Sequence, residues 1–325
     1  MNKIIGLGNA LVDLLTYLPD DTFLKEHGLA AGSMTLVDAP TAQKLTTESQ
    51  RFRRKMMSGG SAANTIYGLA LLQVECGYMG KTGEDELGSI FKNDIASAGI
   101  HTHIINTSTP TGRALALITP DGERTFAVYL GAALELTSTD IQKEILSAYS
   151  HMHIEGYLVQ NHDLLHEALC NAKSLGLTIS LDMASYNVVS DNLSFLKEIM
   201  KKGWVDIIFA NEEEARAFTG LSPDEALEEL SALCQTAVVK VGSKGSLIKT
   251  EGRVYRVDAI RAQAIDTTGA GDMYAAGFLC GLSKGFDPEK SGRLASYVAG
   301  RCVETEGARM PQSLWAEIQT FMQTL

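Results

Sequence analysis

The chain has 325 residues, 45% hydrophobic and 21% charged, with a formal net charge of −11. That length allows one large domain with an appendage or two ordinary domains, and the composition is ordinary for a soluble globular protein. The acidic balance argues against a nucleic-acid or anionic-membrane partner, and no uninterrupted apolar stretch approaches the roughly 18 residues of a membrane span.

Residues 3–8 form an apolar run closed by glycine, which predicts a buried strand; Asp13 and the lack of a cleavage-site pattern set it apart from a secretion signal. In Gly6-Leu7-Gly8-Asn9-Ala10-Leu11, leucine stands where a dinucleotide fingerprint needs its third glycine, so that motif fails. Either the turn is purely structural, or it places Asp13 beyond the strand's C-terminal end to accept hydrogen bonds from sugar hydroxyls. Residues 14–38 lack a helical period. Ser58-Gly59-Gly60-Ser61-Ala62-Ala63-Asn64 then leads into a helix over 62–72. Paired glycines let a ligand approach the backbone and Asn64 can donate and accept; a helix entry capped by Ser58 or Ser61 explains the segment equally well.

A strand over 77–79 and a helix over 86–97 follow. Gly80-Lys81-Thr82 imitates the end of a phosphate loop, but Glu75 occupies the position of its first glycine. Residues 103–131 again break the rhythm. They hold Ala114 to Thr119 and Thr125 to Tyr129 around Asp121-Gly122, a hairpin signal. His151, His153 and Glu155 alternate on a strand over 151–155; the spacing permits a metal, yet no further ligands lie nearby, and a strand entry is the simpler reading. Beyond it, helices are predicted over 163–174, 192–202, 212–219 and 223–234, and strands over 178–182, 205–210 and 237–241. Asn211 and Glu214 sit three apart at a helix start, either as a cap or as a pair holding magnesium through its waters. Lys240-Val241-Gly242-Ser243-Lys244-Gly245 reads as a strand end and turn, or as part of a nucleotide slot.

The most informative stretch is Asp266-Thr267-Thr268-Gly269-Ala270-Gly271-Asp272, which opens a helix over 270–282; another spans 291–304. Glycines and small residues leave amides bare at a helix start, where unpaired N–H groups and the helix dipole attract anions. A carboxylate beside a bound phosphate would repel it unless its task is to take a proton from the attacking group. The segment therefore points to phosphoryl transfer onto a hydroxyl. Cys76, Cys170, Cys234, Cys280 and Cys302 lie far apart with no C-x-x-C pair, so buried free thiols in a reducing cytoplasm are expected.

Strand–helix alternation predicts an α/β fold: three layers, a mainly parallel sheet with helices on both faces. The core is assigned to 1–13, 39–102 and 132–325. A small β-structured lid over the active site is assigned to 14–38 and 103–131.

Together these motifs resemble the ribokinase-like, or PfkB, family of carbohydrate and nucleoside kinases. Residues 266–272 look like its C-terminal signature, backed in order by Gly59-Gly60…Asn64, Gly80…Gly83-x-Asp85-x-x-Gly88, Asn211-x-x-Glu214 and Gly242-Ser243-Lys244-Gly245, across essentially the whole chain. Segments 8–13, 32–38, 119–125 and 129–132 look closest to the bacterial adenosine-kinase-like branch. The resemblance implies Asp272 as catalytic base and Gly269, Ala270 and Gly271 as the anion hole. Asp13, Gly59, Gly60 and Asn64 would bind the acceptor; Asn211 and Glu214 would organise Mg²⁺ and the ATP phosphates; Lys240, Gly242 and Gly245 would border the ATP slot. Asp266 and Thr268, with backbone near Gly307, resemble the monovalent-cation (K⁺) site of many members.

The expected reaction is ATP-dependent transfer of the γ-phosphate to a primary hydroxyl of a small sugar or nucleoside, adenosine-like or ribose-like, by a monomer or homodimer. Fructose or 2-keto-3-deoxygluconate are alternative acceptors. A non-catalytic sensor on the same fold is the rival from another class, though a mere binder has no use for a base.

Overall fold

The computed structural model describes residues 2–325. Fourteen strands follow in chain order: β1 Ile4–Leu7, β2 Leu11–Tyr17, β3 Met34–Leu36, β4 Arg53–Gly59, β5 Cys76–Gly83, β6 His101–Thr107, β7 Gly112–Ile118, β8 Arg124–Tyr129, β9 His151–Glu155, β10 Thr178–Asp182, β11 Ile207–Asn211, β12 Thr236–Lys240, β13 Ser246–Thr250 and β14 Arg253–Val257. Nine make a large sheet in the order β14-β13-β12-β11-β10-β9-β1-β5-β6, and five make a small one in the order β3-β8-β7-β2-β4. The large sheet is parallel from β12 to β6; β13 and β14 extend it as antiparallel edge strands.

Alternating side chains of the central strands enter two separate cores. Ile4, Ile207, Phe209 and Val238 pack on one face with the helices Ser61–Leu71, Ala270–Ser283 and Pro288–Cys302. Ile5, Ile208, Ala210 and Val239 pack on the other with His162–Ser174, Glu212–Thr219 and Pro223–Ser231. Continuous apolar strands are what a sheet buried on both sides requires. The helix Ala270–Ser283 is apolar around most of its circumference because it is enclosed between neighbours. Glycines let it sit close: a Cβ on Gly277 would lie 2.6 Å from Ala295 Cα, and one on Gly68 would lie 2.9 Å from Ala276 Cβ.

The boundary of the small sheet differs from the expected one. Arg53–Gly59, expected in the core, pairs antiparallel with β2, and the first residues of the 103–131 stretch belong to β6 on the large sheet. Strand β4 escapes a pattern reading because its outer residues are charged and half exposed. Residues 14–38 also contain a short helix, Thr22–Glu26, and the Asp121-Gly122 signal does mark the turn between the antiparallel strands β7 and β8. All five cysteines are free; three are buried, but Cys170 lies on the surface, contrary to expectation. Among the described residues no helix is long and apolar enough to cross a membrane.

Candidate active site

Parallel strands end on one side of the sheet, and there each central strand delivers a polar residue. Asn9 follows β1, Glu155 closes β9, Asp182 closes β10, Asn211 closes β11 and Lys240 closes β12. All five line a cleft of about 1450 Å³ between the two sheets, together with Asp13, Gly60, Asn64, Glu214, Gly242, Thr268, Gly269, Gly271 and Asp272. The crevice outside the carboxyl ends of the strands is where an open α/β sheet binds ligands. Of the residues singled out by sequence, Gly59, Ala270, Gly245 and Asp266 do not face the cleft. Gly59 leaves room for the Asp13 carboxylate, which a Cβ there would strike, and Gly245 packs against the Val257 carbonyl.

Asp272 is the third residue of the helix Ala270–Ser283. Ser61 Oγ donates to its Oδ1 (2.7 Å) and Asn64 Nδ2 to its Oδ2 (2.9 Å). Burial pushes its carboxyl up to about 7; those two hydrogen bonds oppose the shift and the nearby Asp182 adds to it. Ser61 is therefore not a helix cap: the Ncap is Gly60, and Ser58 Oγ is engaged by Arg309 and Asp94 instead. Arg309 also donates to Asn64 Oδ1 (2.8 Å) while lying 4.0 Å from the Tyr67 ring centroid, so it fixes the amide that faces Asp272.

The helix start has the expected bare amides, with one correction. Ala270 N–H donates to Thr267 O (3.2 Å) and is committed to the turn. The amides of Gly269, Gly271 and Asp272 find no acceptor among the described residues. Gly269 adopts φ +78°, and a Cβ there would lie 2.5 Å from Ala308 Cβ; only glycine makes this entry without strain.

Lys240 Nζ donates to Asp182 Oδ2 (2.8 Å) beside Gly271. Burial alone would raise the Asp182 carboxyl, but Lys240 overcomes it and leaves it below its ordinary range. Asn211 and Glu214 form a capping box: Asn211 N and Nδ2 donate to the Glu214 carboxylate (2.8 and 2.7 Å), and Asn211 Oδ1 accepts from the amides of Glu213 and Glu214. The pair is thus a helix cap that also faces the cleft. Burial, then Asp182, pushes Glu214 up to about 7.

Glu155 is a structural anchor. It accepts from Asn9 N (2.9 Å), Asn9 Nδ2 (2.6 Å) and Ala62 N (3.0 Å), while His151 and His153 both bond Ser180 Oγ. Burial holds those imidazoles at about 3 and about 4, so they stay neutral. Asp13 accepts no hydrogen bond from the described residues, leaving both oxygens for a ligand; burial raises it to about 6 against the charges of Arg309 and Arg124. At the expected monovalent-cation position, Arg124 Nη1 reaches Asp266 Oδ2 (2.7 Å) and Thr268 Oγ1 (3.4 Å).

Sequence reasoning missed Asp182, Ser61 as a partner of Asp272, Arg309 and Arg124. Asp182 was within reach, since it closes a predicted strand on the ligand side. The arginines act on residues more than a hundred positions away; Arg124 lies in the quoted segment 119–125, but nothing local gives it a role.

A carboxylate beside bare helix-start amides, in a crevice between a doubly covered sheet and a smaller one, defines the small-molecule phosphotransferases that use ATP. The chain belongs to the pfkB family of carbohydrate kinases, whose family model matches residues 30–314. Its reaction is ATP-dependent phosphorylation of a sugar or nucleoside. The fold is similar to the crystal structure of adenosine kinase from Sinorhizobium meliloti (35% identity, TM-score 0.88, 98% of this chain and 99% of that one). It is also similar to a probable sugar kinase protein from Rhizobium etli CFN 42 (32%, TM-score 0.89, 98% of both). Adenosine kinase 1 of Arabidopsis thaliana is 26% identical over 341 residues, covering 95% of this chain and 96% of its own length.

Proposed function

We propose that this kinase phosphorylates the primary hydroxyl of a nucleoside, with Asp272 as the base. The apolar wall of the cleft carries the acceptor class. Met34, Leu36 and Leu134 are 54%, 60% and 67% exposed and face the cleft with Leu11 and Phe126. Fully burying one such side chain is worth about 1.5–3 kcal/mol, a gain that a flat heterocycle collects more fully than a small, hydroxyl-rich free sugar. The unpartnered Asp13 carboxylate suits the ribose hydroxyls. The adenosine kinases among the similar proteins agree with this acceptor.

The acceptor hydroxyl lies against Asp272, which takes its proton as the oxygen bonds the γ-phosphorus and the bond to the β-phosphate oxygen breaks, releasing ADP. The amides of Gly269, Gly271 and Asp272 stabilise charge on the equatorial oxygens, the main catalytic task in this transfer. Lys240 and Gly242 border the ATP phosphates. Asp182, Glu214 and Asp272 crowd one buried cation, Lys240, which suits a divalent ion entering with ATP. Magnesium would be held by Asn211 and Glu214 through water and would neutralise phosphate charge. The small sheet acts as a lid that excludes water and limits ATP hydrolysis.

A proton-accepting Asp272 must be ionised, and its carboxyl is raised to about 7. kcat/KM should rise with pH as Asp272 loses its proton, about tenfold per unit on the acid limb, and then level off. An ADP-release screen over adenosine, guanosine, inosine, ribose, fructose and 2-keto-3-deoxygluconate tests the acceptor. A nucleoside should give the highest kcat/KM; a free sugar in first place would overturn the reading.

A further inference from the structure

Three strands of geometry meet at the loop before Gly269. The Asp266 carboxylate is 2% exposed and both its oxygens are engaged: Oδ1 accepts from Thr268 N (2.9 Å), and Oδ2 accepts from Gly307 N (2.5 Å) and from Arg124 Nη1 (2.7 Å). The surrounding carbonyls also have donors close by. Val303 O accepts from the amides of Ile265 (2.7 Å) and Asp266 (3.1 Å), while the Thr305 hydroxyl lies between Cys302 O (2.9 Å) and Gly307 O (3.3 Å). The Cys302 thiol lies 3.8 Å from Thr268 O and 4.0 Å from Gly307 O. Arg124 comes from elsewhere in the fold, being the first residue of β8 in the small sheet.

A bare monovalent ion needs several oxygens free to replace its water. Here the carboxylate oxygen Oδ2 already holds a guanidinium and the Gly307 amide, and Val303 O already carries two amide donors. A second cation would have to be desolvated beside the charge of Arg124. A guanidinium keeps its charge and offers donors in a fixed planar fork, so it can neutralise Asp266 and orient the Thr268 hydroxyl together.

We propose that Arg124 takes the place of the monovalent cation at the 266–268 loop, so that the helix start at Gly269 is held by a side chain of the small sheet. The family's usual ion does not fit the loop in this arrangement. Transfer then needs neither potassium nor sodium, and the anion-binding amides are tied to the position of the small sheet. The kinetic part of this proposal rests on the kinase reading above; the ion-binding part does not.

The test compares wild type with Arg124→Ala and Arg124→Gln at constant ionic strength, replacing KCl by tetramethylammonium chloride. Thermal midpoints and anomalous scattering after a rubidium soak are read first, since neither needs an acceptor or ATP. Wild type should show no potassium-dependent shift in midpoint and no rubidium at Asp266. The variants should gain both, and wild-type kcat should be unchanged across the series. Arg124→Ala should lose on the order of 100-fold in kcat without potassium, as when a fixed electrostatic contact is removed, and recover part of it with the ion. Rubidium at Asp266 in wild type, or potassium activation of wild type, would overturn the proposal. So would variants that fold yet bind no ion. If no acceptor is phosphorylated at all, the kinase reading fails while the rubidium and midpoint results still decide the ion question.

Discussion

Replacing Asp272 by asparagine should lower kcat by a factor on the order of 10²–10⁴, the usual contribution of a positioned base, while ATP affinity stays near that of wild type. Asparagine can keep the contacts with Ser61 and Asn64, so the geometry of the helix start survives and only proton acceptance is lost. The same change carries a stability signature of defined sign. Burial first, then Asp182, raises the folded-state carboxyl of Asp272 to about 7 from an unfolded value of 3.8. Between those values the native state holds a proton that the unfolded state has released. The contribution is therefore fully present below about pH 4 and fades as pH rises through 7. Asp272→Asn should remove this part of the pH dependence and make the protein more stable than wild type at pH 8. Single-turnover kinetics, nucleotide titration and urea melts at pH 5 and pH 8 read the three effects. A variant with near wild-type kcat would sink the assignment of the base.

Lys240→Met should destabilise the fold by about 3–5 kcal/mol, the usual cost of breaking a buried ion pair from one side. Its partner Asp182 is almost wholly buried, and Glu214 and Asp272 lie within reach of the same ammonium. Without Lys240, three carboxyls share a region of low dielectric with no counter-charge, and they should retain protons at neutral pH. The double variant Asp182→Asn/Lys240→Met should recover much of the loss in urea midpoint, because the unpaired charge is gone. A single variant within about 1 kcal/mol of wild type would show that water already compensates Asp182.

The large sheet and its helices were legible because buried strands repeat one signal. Residues 207–210 and 237–239 show it: an apolar run long enough for a strand and too short for a helix. The edge strands β13 and β14 were not: β13 offers only Leu247 and Ile248 as an apolar run, and β14 is largely exposed. The small sheet was only half legible, since β4 opens with the basic block Arg53, Arg54 and Lys55 and is held to β2 by main-chain bonds. Within the cleft, the helix start around Gly269 and Asp272 could be found from composition alone. Its supports could not: Arg309 meets Asn64 across 245 positions and Arg124 meets Thr268 across 144. Such contacts exist only after segments far apart in the chain have packed together.

The strands β1 and β2 belong to different sheets, yet only residues 8–10 separate them. Asn9 in that link is held by Glu155, and a Cβ on Gly60 in the neighbouring crossover would lie 2.3 Å from Asn9 O. Two backbone segments that tight act as a fulcrum, because neither can stretch or slide without losing buried hydrogen bonds. Any swing of the small sheet must pivot there, and displacement grows with distance from the pivot. Asp13, four residues beyond Asn9, moves through a small arc, while Met34 and Leu36 on the outer strand travel furthest. In the lid closure proposed above, the lever separates precision from reach: the Asp13 carboxylate, proposed to meet the acceptor, would stay nearly still while the far wall sweeps across to enclose whatever has entered.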